Sequence, residues 1–159
     1  MEHIEKALKH FETILQEQFK RLETMNKPKK DFASMEKVTI GVCGGDGIGP
    51  EVIAEGVKVL KKVAELDGGF AFEFCEFPWG CEYYLENGEM MPKDGMEQLA
   101  KADAIFLGAV GAPGVPDHIS LWDLLLTIRK GFDQYINLRP IKLLKGAPCP
   151  LKDVREEDI

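Results

Sequence analysis

A chain of 159 residues, 45% hydrophobic and 30% charged, is long enough to bury one ordinary core and reads as a soluble globular protein. Its net charge of −7 comes with no basic stripe to neutralise phosphates, which argues against nucleic acid as the main partner. The four cysteines form no CxxC pair or zinc-type group, no apolar run reaches the roughly 18 residues that span a bilayer, and acids throughout the first 25 positions argue against a transit peptide, so we expect free thiols, no membrane partner and a cytoplasmic location.

Residues 1–25 are expected to form an amphipathic helix. Ile4, Leu8, Phe11, Leu15, Leu22 and Met25 recur at heptad spacing, interrupted only by Gln18, while Glu and Lys fill the opposite face. Such a stripe needs a partner, either its own domain or another subunit. Residues 26–35, "NKPKKDFASM", read as a linker. From Glu36 the texture changes. "KVTIGVC" alternates as a buried strand and leads through "GGDGIGPE" into a helix with Val52, Ile53, Val57, Leu60, Val63 and Ala64 on one side. "FAFEFCEF" at 70–77 is a second strand, followed by short helices near 79–86 and 93–101. "DAIFLGAV" at 103–110 is a third strand, apolar on both faces as in a covered parallel sheet. A helix near 119–130 and a strand in "YINLRPIKLL" complete the pattern. Alternation of strand and helix predicts an α/β fold with a largely parallel sheet.

Two glycine-rich loops leave buried strands, "GGDGIGPE" and "GAVGAPGVPDH" at 108–118. Each suits close backbone approach to a ligand, and each is equally a tight turn or a long connector. Neither is a dinucleotide or P-loop fingerprint. Arg129 and Arg139 stand ten positions apart in the most apolar region. A helix-to-strand turn would bring both forks into one cleft able to hold a small dianion, and a surface pair bonded to local acids such as Asp133 fits the spacing as well. His118 is expected to orient its loop by a hydrogen bond, since no nucleophile accompanies it. Neither a catalytic constellation nor a metal-ligand set is complete.

"GDGIGPEV", "DAIFLGAVG", "PDHISLW" and "TIRKGFDQYINLRP", in this order, resemble the β-decarboxylating hydroxyacid dehydrogenases that act on isocitrate, isopropylmalate, tartrate and D-malate. "PWGCEYYLENGEMMP" and "VPDHISLW" look most like the tartrate/D-malate branch. The likeness covers residues 37–159; the first 35 look like an addition. It implies an isopropylmalate dehydrogenase-like α/β domain over 36–159, incomplete, with its parallel sheet flanked by helices. It implies hydride transfer from a small 2-hydroxy acid to NAD, with Mg or Mn assisting. By the resemblance Arg129 and Arg139 grip substrate carboxylates, Asn137 lies near the nicotinamide, and Ile48, Ala109, Val110 and Gly111 line the cofactor. Asp123 departs from the family pattern, replacing a small residue at the distal end of the substrate, where a carboxylate would repel an anion. The base, the metal-binding aspartates and the adenine loop that the family carries further on do not occur in these 159 residues. We therefore expect a homo-oligomer or a complementing dehydrogenase chain as partner. The alternatives are a non-catalytic regulatory or structural subunit and, least favoured, a free-standing binding module.

Overall fold

A computed structural model describes residues 2–25 and 30–155. Positions 26–29 of the expected 26–35 linker lie outside the described residues. The rest of it holds a single 3₁₀ turn, Phe32–Ser34, capped by the Asp31 side chain accepting from the Ala33 N–H at 3.1 Å.

The elements run in order as α1 (Glu2–Met25), β1 (Lys37–Cys43), α2 (Gly49–Asp67), β2 (Ala71–Glu76), α3 (Cys81–Asn87), α4 (Gly95–Leu99), β3 (Ala104–Leu107), α5 (Asp117–Ser120), a π-helical turn (Leu121–Leu126) and α6 (Thr127–Gly131). The three strands form a parallel sheet in the order β2-β1-β3, with Ile40 beside Phe74 on one side and Ala104 on the other. This is the α/β arrangement expected, a small parallel sheet flanked by helices.

The period of two in β1 sorts its side chains between the faces. Ile40 and Val42 join Ile53 of α2 in one buried cluster, with Val38, Val57, Leu60, Phe72, Phe74 and Phe106 packed around it. Cys43 points to the other face and joins Trp79, Cys81, Met90, Leu99, Val115, Leu124 and Ile128. The sheet is thus covered on both sides, which is why β3 is apolar throughout. Helix α2 starts with Pro50 in its first turn and stops where Gly68 takes φ +72° and returns its N–H to the Ala64 carbonyl. Gly56 lets α2 lie against the sheet, since a Cβ there would sit 2.5 Å from the Phe106 ring.

Expected and observed bounds differ in the short helices, and one strand is absent. The helix expected over 119–130 runs from Asp117 to Gly131 and widens to π geometry in the middle. There the Thr127 hydroxyl donates to the Trp122 carbonyl five residues earlier, at 2.8 Å. "YINLRPIKLL" is not a strand: residues 135–144 are irregular, with Leu138 83% exposed. A strand needs a ladder partner, and this segment pairs with none of β1, β2 or β3.

The base of β1 is fastened to β3 by Asp103. Its carboxylate accepts from the Thr39 N–H at 2.8 Å and pairs with Lys30, while its own N–H donates to the Thr39 carbonyl. The hydrogen bond from Lys30, then that from Thr39, hold the Asp103 carboxyl below its ordinary range. A carboxyl more acidic in the folded chain contributes stability that is present above its unfolded value and lost as pH falls through the folded one. Urea midpoints measured from about pH 5 down to about pH 2 should therefore drop, and Asp103→Asn should flatten that drop.

Candidate functional site

All three strands run parallel, so their carboxyl ends, Cys43, Glu76 and Leu107, lie at one edge of the sheet, where open α/β folds bind ligands. The two glycine loops meet there. The Asp46 N–H donates to the Ala109 carbonyl at 2.7 Å, which lays the β1–α2 loop on the segment leaving β3. Gly45 takes φ +70°, and a Cβ on it would fall 2.0 Å from the Ala109 oxygen, so only glycine allows this approach.

Asp46 is the knot of the site. It is 6% exposed, and its two carboxylate oxygens accept from two backbone donors: Oδ1 from the Cys81 N–H at 2.7 Å, Oδ2 from the Gly111 N–H at 2.8 Å. One side chain thereby joins the β1–α2 loop, the start of α3 and the loop after β3. Charge-assisted bonds of this kind are about twice as strong as neutral ones. Sequence reasoning named the glycines around Asp46 and missed the acid itself. The available signal was an isolated acid among four glycines, a short acceptor surrounded by backbone donors.

The knot is closed by two cysteines. The Cys43 thiol donates to the Trp79 carbonyl at 3.3 Å, and Cys81 is 1% exposed beneath Asp46. Burial first, then the hydrogen bond and charge of Asp46, push the Cys81 thiol up to about 11. Burial also raises Cys43. Both should resist a thiol reagent near pH 8 in the native state, because the thiolate is the reactive form and neither sulfur is accessible. Exposed Cys75 should label rapidly, and Cys43 and Cys81 only at the rate of unfolding, which timed labelling with mass spectrometry would read.

The structure gathers one of the anticipated groups on a ridge, and of the two arginines it sets only Arg129 in a hollow beside β3. Ile48, Ala109, Val110 and Gly111 share the ridge that Asp46 builds. Ile48 is exposed at the head of α2, and Gly47 and Gly111 have open space where a Cβ would stand, so bare backbone faces outward there. Arg129 is half-buried at the end of α6. It lines a hollow of about 400 Å³ with Phe106, Gly108, Leu125, Ile128 and Gln134, beside the free edge of β3. Arg139 and Asn137 are exposed in the irregular segment beyond and do not line that hollow. Asp123 is exposed in the π turn, and no ion pair joins it to Arg129 among the described residues. His118 is likewise exposed and makes none of the described loop-orienting hydrogen bonds expected of it. A larger hollow, about 760 Å³, opens between α2 and the β2–α3 loop; Gly44, Gly45, Asp46 and Pro50 of the first glycine loop line it, whereas Ile48, the Ala109–Gly111 segment, Arg129, Asn137 and Arg139 do not.

The groups that NAD and a divalent metal would need differ in their fit. The ridge offers a shelf of open glycine backbone suited to a flat cofactor. For Mg or Mn the fit fails: among the described residues no group of three or more His, Cys, Asp or Glu could hold an ion. No helix among them is long and apolar enough to cross a membrane.

Comparison with known proteins shows the family. The sequence profile described as isocitrate/isopropylmalate dehydrogenase matches residues 39–159. A probable tartrate dehydrogenase/decarboxylase of Agrobacterium vitis is 53% identical over 125 residues, 79% of this chain and 35% of that protein. The D-malate dehydrogenase [decarboxylating] of Escherichia coli is 53% identical over 127 residues, again 79% of this chain and 35% of that one. A crystal structure of a β-decarboxylating dehydrogenase from Thermococcus kodakarensis in apo form is 35% identical, covering 62% of this chain and 27% of that one with a TM-score of 0.48. The chain spans about a third of the length of the curated relatives it matches. With its profile match over 39–159 and its glycine loops clamped at the carboxyl edge of a parallel sheet, the chain belongs to the isocitrate/isopropylmalate dehydrogenase family.

Proposed function

We propose that this chain supplies one wall of an NAD-dependent oxidoreductase acting on a small 2-hydroxy dicarboxylic acid of the D-malate, tartrate or isopropylmalate type, and that a second chain completes the site. The observation that carries this reading is the Asp46 clamp, which holds both glycine segments at the strand ends next to the hollow that Arg129 enters.

Within this reading Ile48 and the Ala109–Gly111 segment support the cofactor, and Asn137 meets its nicotinamide end. Bound NAD supplies the hydride acceptor. Arg129 offers a planar fork that pairs two N–H groups with a substrate carboxylate and fixes which face of the hydroxyl carbon meets the ridge. Arg139 takes the second carboxylate once residues 135–144 leave their exposed course and add to the free edge of β3, as an extended segment adds to an open sheet edge. Leu125 and Ile128 keep one side of the Arg129 hollow apolar, which strengthens the ion pair by excluding water. The metal ligands and the base that receives the hydroxyl proton lie outside these 159 residues.

The test mixes this protein with the remaining two-thirds of a tartrate dehydrogenase, with NAD, Mn and D-malate or tartrate, and tracks nicotinamide reduction. Turnover is expected in the mixture and not from this protein by itself. Turnover by the protein alone would contradict the reading. Stable assembly without turnover would favour a non-catalytic subunit, toward which the Asp123 carboxylate also points.

A further inference from the structure

We propose that α1 is a self-association helix, pairing in parallel with α1 of a second copy of this chain. The profile match begins at residue 39, so α1 stands apart from the dehydrogenase reading, and the inference concerns assembly alone. Over its 24 residues, about 36 Å, Ile4, Leu8, Phe11, Leu15, Gln18 and Leu22 occupy alternating core positions of a heptad. All are exposed: Ile4 is 65% accessible and Phe11 59%. The Arg21 guanidinium donates to Asp133 at 2.8 Å and ties α1 to the end of α6. Arg21 flanks the core positions, so the tether leaves the apolar seam facing outward.

Three features select a second copy in parallel orientation. Residues flanking the seam are Ala7, Ile14 and Arg21 on one side and Glu5, Glu12 and Phe19 on the other. In a parallel pair each flank meets the opposite flank five residues on, which sets Ile14 against Phe19 of the partner copy twice by symmetry and widens the apolar contact. Antiparallel pairing with full overlap sets like flanks together: the two Ile14 side chains then meet, but Phe19 faces Glu5 and the two Glu12 carboxylates face each other, which is unfavourable. Gln18 discriminates further. In parallel its amide meets the same amide of the second copy and the two can hydrogen-bond, whereas antiparallel pairing buries each against Leu8 with no partner. Glu5 precedes Lys9 at a spacing of four, a sequence order that favours the helix without opposing its duplication.

Sedimentation equilibrium of the full chain at micromolar concentration should give the mass of a dimer. Leu8→Lys with Leu15→Lys should raise the dissociation constant at least about 100-fold, while the near-ultraviolet signal of buried Trp79 is kept, which shows that the sheet domain still folds. Orientation is read in a Cys75→Ser, Cys149→Ser background, which leaves only the buried thiols. There Leu8→Cys should cross-link to itself under mild oxidation, and a mixture of Leu8→Cys and Gln18→Cys chains should form no mixed disulfide. A monomeric parent chain would overturn the proposal. So would a dimer that survives the two lysines, which would place association at another face such as the open edge of β3. A mixed disulfide from the second experiment would overturn the parallel orientation.

Discussion

Asp46→Ala is expected to destabilise the protein by about 2–4 kcal/mol, read as a fall in the urea midpoint at unchanged slope. The substitution strips the acceptor from two N–H donors: that of Cys81, a residue 1% exposed, and that of Gly111 on the outer side of the ridge. A buried donor left unpaired costs about 1–3 kcal/mol, and a lost charge-assisted bond at the more open position adds about 1 more. Domains of this kind have only about 5–15 kcal/mol in total. Asp46→Asn should recover less than half of the loss. Its single amide oxygen can serve one donor, and its NH₂ group is then set against the other. The intact clamp in turn requires glycine at position 80, because a Cβ there would come within 2.7 Å of the Asp46 carboxylate. A change under about 1 kcal/mol for Asp46→Ala would show that the clamp is not what joins these loops.

The second large effect concerns Arg129. In the reconstituted mixture Arg129→Ala should lower kcat/KM about a thousandfold, roughly 4 kcal/mol of lost pairing to a carboxylate. Arg129→Lys should fall between the two, since a single ammonium keeps the charge and loses the fork. The folding stability of the chain should change by less than about 1 kcal/mol in either variant, because Arg129 makes no ion pair among the described residues. Arg139→Ala is a sharper probe of the irregular segment. It should match the Arg129 loss if residues 135–144 dock beside β3, and should be silent if they keep their exposed course.

How far the sequence reveals this protein depends on whether a feature is local or paired. Strands β1, β2 and β3 and helix α2 were legible because alternation and helical spacing are written along the chain, and Pro50 and Gly68 mark the ends of α2. The heptad of α1 was legible for the same reason. Residues 135–144 carry as clear an alternation and are not a strand, since a ladder requires a neighbour that periodicity does not name. The π turn depends on Thr127 reaching back five residues, a choice invisible to spacing rules tuned to three and four. In the candidate site the glycines were legible through their conformational freedom, and the residue they surround was not. The importance of Asp46 comes from donors 35 and 65 positions away, which only the folded chain sets beside it. Arg129 and Arg139 show the same limit: their chemistry was evident, but not that Arg129 lines the hollow beside β3 while Arg139 does not.

The ridge itself can be tested without any completing chain. Backbone amide resonances recorded during a millimolar NAD titration should shift at Gly47, Ile48, Val110 and Gly111, and Asp46→Ala should abolish those shifts before it unfolds the protein. Shifts confined instead to the hollow between α2 and the β2–α3 loop, around Ile53, Lys61 and Tyr83, would contradict the account, as would a spectrum that NAD leaves unchanged.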